Sequence, residues 1–163
     1  MAPKNSSNQL KDNKDSQDSL ELIRIPHNCV KVTWPFIVQY VFKPLKKLGK
    51  GEKKIEDVYQ SLLNGHEELW VLVDKDIDSI IGMCTTQVIK HPQYNVLGIP
   101  LVGTDPHTID KWYNLTMSDT SPLIAWAKEN KAVRIEGYIR DGWLKFVKNY
   151  DFKKYYTVIT KEV

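Results

Sequence analysis

At 163 residues, 42% of them hydrophobic, the chain has the length of one ordinary domain able to bury a sizeable core, and it is too short for a barrel enzyme. It holds no run approaching about 18 apolar residues and no apolar centre within residues 1–20, so neither a membrane span nor a secretory signal is expected and the protein reads as cytoplasmic. Cys29 and Cys84 form no CxxC pair and no histidine is spaced to complete a zinc site, which argues against a disulfide scaffold and a structural zinc. The formal net charge of +3 is unevenly spread, but no aromatic-rich motif, helix-turn-helix pattern or arginine stripe accompanies the basic segment, so a dedicated nucleic-acid reader is not expected.

Residues 1–19 are built largely from Ser, Asn, Gln, Asp and Lys, with Leu10 as their one large aliphatic residue beyond the initiator. Such a composition buries too little to offset the entropy of ordering, so the stretch is expected to be a disordered polar arm before a domain at 20–163. Leu20–Ile25 alternates as a first strand that Pro26 stops. Thr33 then suits a helix N-cap and Pro35 a first turn, with Phe36, Ile37, Tyr40, Val41 and Leu45 at helical spacing until Pro44 kinks or ends the segment. Residues 43–54 place six lysines against Glu52. That cluster either meets an anion or is a solvated loop. A second helix joins Ile55, Val58, Tyr59, Leu62 and Leu63, with Asn64-Gly65 as a left-handed stop.

Glu68–Val73 reads as a buried strand, Asp74-Lys75-Asp76 as a turn, Ile80–Ile89 as a second long strand, and Asn95–Val102 as a third, giving an antiparallel meander. Helix signals return at Thr108, break at Ser118–Pro122, and resume through Leu123, Ile124, Trp126 and Ala127. Ala132–Tyr138 is a strand, Trp143–Lys148 a short helix, and Tyr155–Thr160 a last strand. The fold class is therefore α/β (α+β), with a mixed, mostly antiparallel sheet.

This order resembles the GNAT superfamily of N-acetyltransferases, and is similar in particular to divergent GNAT-like proteins of tailed phages. The resemblance is carried by Glu56–Gly65 with Glu68–Val73, by Ile81-Gly82-Met83, by Ala125–Glu129, and by Arg134–Tyr138 with Gly142–Phe152 and Tyr156–Lys161. It implies a GNAT-like sheet with helices on both faces, and it sets four positions at which acyl-transfer chemistry can be sought.

The family cradles the acetyl-CoA diphosphate on backbone amides of a Q/R-x-x-G-x-G/A loop at a helix N-terminus. Here that place reads Leu-Val-Gly-Thr-Asp-Pro-His over residues 101–107, with one glycine, an added negative charge at Asp105 and no donor at Pro106. Gly103 and Thr104 are the candidate cofactor contacts. The same stretch also suits a strand-to-helix connection with Asp105 as N-cap and no ligand. Pro100 removes a donor from the strand that would pair with the pantetheine arm, and residues 95–102 offer no carboxylate as general base. The family's general-acid tyrosine aligns with Val147, and its Gly-Phe step with Asp151-Phe152, leaving Tyr150 and Tyr138 as substitutes or as core packing. Glu136 either faces the cleft or pairs with Arg134 or Arg140, and the four histidines are expected in turns at the surface.

No catalytic residue, metal or resident cofactor is therefore assigned. The resemblance implies a phage-type GNAT-like protein with a largely degenerate acyl-CoA site, acting as a binding or virion-assembly component whose arm meets other phage or virion proteins, without sequence-specific nucleic acid. The alternative is an active acetyl-CoA-dependent N-acyltransferase with relaxed motifs. A binding component is expected to have the slot beside Gly103 filled by Trp112 or Tyr138; an enzyme is expected to keep it open.

Overall fold

A computed structural model describes residues 19–48, 52–139, 141–156 and 161. The polar arm over 1–18 and residues 157–160 of the expected last strand lie outside the described residues, while Tyr155 and Tyr156 belong to no strand. Among the described residues, no helix is long and apolar enough to cross a membrane.

The first strand, β1 (Leu20–Ile25), buries Leu20 and Leu22 and turns Glu21 and Ile23 outward, the two-residue period of a half-covered strand. A 3-10 turn at His27–Cys29 then starts α1 (Val30–Leu48) three residues ahead of the expected Thr33 cap. Thr33 instead sits inside the first turn, its hydroxyl donating to the Cys29 carbonyl at 2.9 Å. Pro44 does not end the helix either. An interior proline costs about 3 kcal/mol, but Val30, Ile37, Tyr40 and Val41 are all at most 3% exposed, and each such side chain returns about 1.5–3 kcal/mol. Burial wins, and the helix runs through.

Helix α2 (Ile55–Leu63) opens with the Lys54 N–H donating to Asp57 Oδ2 at 2.8 Å and closes on Gly65 at φ 69°, where the His66 N–H reaches the Ser61 carbonyl at 2.9 Å. The meander follows as β2 (Glu68–Asp74), β3 (Ser79–Lys90) and β4 (Asn95–Thr104). Two short helices, α3 (Ile109–Thr116) and α4 (Pro122–Glu129), are separated where Ser121 Oγ accepts the Leu123 N–H at 3.2 Å and Pro122 takes the first helical position. Strand β5 (Ala132–Gly137) and α5 (Asp141–Val147) complete the order, with a 3-10 turn at Lys148–Tyr150.

The sheet runs β1-β2-β3-β4-β5, antiparallel throughout except that β5 lies parallel to β4. That parallel pair requires a crossover, which α3 and α4 supply. Two cores result. Ile37, Val41, Val58 and Leu62 of α1 and α2 pack with Leu69, Val71, Met83 and Leu101 on one face, and Trp112, Tyr113, Leu123 and Val147 of the later helices pack with Trp70, Leu72, Cys84 and Leu97 on the other.

Candidate functional site: the opening between the fourth and fifth strands

The register of β3 against β4 jumps from Thr85↔Leu101 to Gln87↔Gly98, so that Ile99 and Pro100 together oppose Thr86. This is a bulge on β4, and it is where a proline costs no ladder bond. The bulge also reverses sidedness: Leu97 and Ile99 face the α3/α4 layer, while Leu101 faces α1 and α2. Strand β5 follows β4 only as far as Ile99↔Gly137, whereas β4 continues to Thr104. The two strands therefore part at Pro100, leaving an opening with a β4 limb and a β5 limb.

On the β4 limb, Gly103 is buried against α1. A Cβ built there would overlap the Tyr40 carbonyl oxygen and stand 2.7 Å from its carbon. The reason lies four residues along α1, since Pro44 has no N–H to offer that carbonyl. Freed from the helix ladder, the carbonyl presses on the one residue type that leaves it room. Thr104 is half-buried, its methyl against Gly82.

Beyond Thr104 two amides are committed. The Asp105 N–H goes to Ile81 O at 2.9 Å and the Thr108 N–H to Asp105 O at 3.3 Å, with Thr108 Oγ1 donating to the same carbonyl at 2.7 Å. Pro106 has none to give, and His107 takes a left-handed conformation at φ 64°. The expected cap at Asp105 is corrected by this turn: Thr108 is the N-cap of α3, because the chain needs one more reversal before the helix can begin. The Asp105 carboxylate instead interacts with the Tyr40 hydroxyl, which also donates to Ile80 O at 2.9 Å. Burial first, and Asp105 second, pushes Tyr40 up to about 12.

The β5 limb is open. Tyr138 is 61% exposed and Ile139 42%, and Trp112 is wholly buried in the core beneath, so Tyr138 does not fill the slot. Glu136 pairs with Arg134, whose Nε and Nη2 both donate to Oε1, at 2.8 and 2.7 Å. The Arg134 guanidinium lies over the rings of Tyr94 at 5.0 Å and Tyr155 at 4.5 Å.

The two substitute tyrosines separate in role. Tyr150 stacks on Tyr113 with centroids 5.0 Å apart, packs against Phe146, and points its hydroxyl at Asp110 O, 3.5 Å away. It is packing, and burial raises it above the usual tyrosine value. Burial pushes Tyr113 up to about 12 as well. Val147 is 3% exposed in the core. Asp151 sits at φ 62°, the left-handed slot a glycine would favour.

Of the histidines, His27 departs from the expected surface role: its Nδ1 lies 3.0 Å from Leu62 O and its Nε2 3.3 Å from Glu68 Oε1, tying the start of α1 to α2 and β2. Cys84 is buried, which pushes its thiol up. Among the described residues no group of three metal-ligating side chains occurs. The sequence reading missed the buried Glu67, which meets Lys53 and accepts from Ser61 Oγ at 3.1 Å, and the contact of Tyr40 with Gly103 and Asp105; only the Pro44 spacing hinted at the latter.

No protein-family model and no curated protein matches the sequence. Solved structures do match. An acetyltransferase from Trypanosoma brucei is similar at 12% identity and a TM-score of 0.60, over 88% of this chain and 99% of that one. An aminoglycoside acetyltransferase from an uncultured soil metagenomic sample, solved with sisomicin, is similar at 12% identity and 0.63, over 90% and 96%. Glucosamine-6-phosphate N-acetyltransferase from Arabidopsis thaliana follows at 10% identity and 0.58, over 88% and 97%. The fold is GNAT-like. Gly103 and Thr104 lie on the β4 limb of the β4–β5 opening.

Proposed function

We propose that the chain uses its GNAT-like fold as a binding component and has lost the coenzyme's diphosphate cradle. The observation that carries this reading is Gly103, closed over by the Tyr40 carbonyl. A diphosphate needs several amides converging on empty space. Here the Asp105 and Thr108 amides are spent, Pro106 offers none, and the Asp105 carboxylate adds charge of the wrong sign. Val147 at the position of the general acid is a second support, since it carries no proton to give. The partner class is another protein, and the resemblance to tailed-phage proteins makes a virion or assembly component the finer form of this proposal.

A second reading, an N-acyltransferase with relaxed motifs, is favoured by two observations: β4 outruns β5 by five residues past Ile99↔Gly137, and Tyr138, expected to fill the slot of a binding component, is exposed instead. In that reading acetyl-CoA would enter the opening and Glu136 is the nearest carboxylate on β5. One matched acetyltransferase is named for aminoglycosides and another for glucosamine-6-phosphate, so they do not choose an acceptor for this chain. Isothermal titration with acetyl-CoA separates the readings. Silence at about millimolar ligand is expected of a binding component, and a dissociation constant near micromolar overturns it.

A further inference from the structure

Residues 144–156 read Leu-Lys-Phe-Val-Lys-Asn-Tyr-Asp-Phe-Lys-Lys-Tyr-Tyr, with four lysines against the one carboxylate of Asp151. In the structure Lys148, Lys153 and Lys154 line an open groove together with the apolar side chains of Leu144 and Phe152, and Asp151 is its one acid. Immediately after Lys154 the chain reaches the outer side of β5. Lys154 is followed directly by Tyr155 and Tyr156, with consecutive Cα atoms about 3.8 Å apart, so the groove and the two tyrosines are neighbours along the chain.

Those tyrosines are both exposed and held. Tyr155 and Tyr156 are 72% and 52% exposed, yet Arg134 stacks on the Tyr155 ring at 4.5 Å, and the Tyr156 hydroxyl lies 3.4 Å from Glu136 Oε2. The Glu136 charge is in turn compensated by Arg134, so the rings stand in a neutral-to-basic setting. Ring faces fixed in water beside a lysine groove do nothing for the core. They match the chemistry that single-stranded nucleic acid presents, regularly spaced phosphates for ammonium groups and unpaired base faces for aromatic stacking.

We propose that this surface binds single-stranded nucleic acid without sequence preference, phosphates on Lys148, Lys153 and Lys154 and bases on Tyr155 and Tyr156. Duplexes keep their bases stacked on each other, and an acidic peptide has no base faces, so neither uses the tyrosines. The surface does not involve the loop at 103–108, and its test is independent of coenzyme binding.

The experiment is fluorescence anisotropy of a labelled oligo-dT of roughly 20 nucleotides with the full chain, starting near 50 mM salt and repeated as salt rises. The expected log–log salt slope is about −2, three phosphates at about −0.7 each. The pair Lys153→Gln and Lys154→Gln should cut that slope to about −0.7. Tyr155→Ala should weaken binding about 5- to 100-fold at an unchanged slope, with Tyr155→Phe retaining it. All three positions are exposed, so wild-type circular dichroism is expected of each variant, and Lys148→Gln, expected to remove about a third of the slope, serves as an independent check. The proposal is overturned by no binding at about 100 μM protein, by a matched duplex binding as tightly, by polyglutamate competing as well as the oligonucleotide, or by affinities that neither the lysine nor the tyrosine variants change.

Discussion

The two limbs of the β4–β5 opening differ in what surrounds them. At Gly103 on the β4 limb, an added Cβ would run into the backbone of α1; at Gly137 on the β5 limb, nothing lies within 4 Å. On the β4 limb the Cβ side of Gly103 is packed against a helix whose ladder Pro44 interrupts, and the β5 limb ends in the exposed Tyr138 and Ile139. Two strands of one sheet can thus part while helix packing covers the face of one of them. The splay follows from the bulge at Ile99-Pro100 and the last β4–β5 pair, and needs no ligand to hold it.

This contrast can be broken or sharpened by substitution. Gly103→Ala is the most damaging change expected, because the clash is with main chain rather than a movable side chain: about 3 kcal/mol or more of stability lost, read by denaturant unfolding. A loss below about 1 kcal/mol would mean that α1 does not press on the limb.

Alkaline pH probes the same contact. Tyr40 and Tyr113 are both held near 12, against about 10 in an unfolded chain. The folded state binds these protons more tightly, so their contribution is complete below about pH 10 and is lost as pH climbs toward 12. Tyr40→Phe should remove part of that alkaline decline, with Tyr113 and the buried Cys84 thiol carrying the rest, while costing about 1 kcal/mol near neutrality, since Ile80 O loses its donor. An unchanged decline in Tyr40→Phe would place the alkaline sensitivity elsewhere.

Smaller effects are expected on the other side of the opening. Asp151→Gly relieves a left-handed residue and should stabilise by about 0.5–1 kcal/mol, visible as a melting temperature raised by a few degrees. Gly137→Ala should change stability by no more than about 0.5 kcal/mol, and a larger loss there would show the β5 limb to be packed after all.

Much of this architecture is legible in the chain. Period-3.6 patterns mark the α-helices, and alternation or short apolar runs the strands, among the described residues, and Ser118–Pro122 announces the break between α3 and α4. The misses are local contests. Thr33 looked like a cap, but the turn at Pro26–Cys29 had already started the helix, and Pro44 looked like a stop, but four buried side chains outweighed it. Asp105 looked like a cap until the reversal at His107 moved that role to Thr108.

The candidate site divides in the same way. That residues 101–107 carry one glycine, an acid and a proline is a property of the sequence, because composition fixes how many amides and what charge a loop can offer. That Gly103 lies beneath the Tyr40 carbonyl, and that Arg134 stacks on Tyr155, was decided only by tertiary structure. Those pairs stand 63 and 21 positions apart along the chain. Periodicity tells which face a side chain takes, but only the docking of one layer on another brings a freed carbonyl to a glycine, or a cation to a ring.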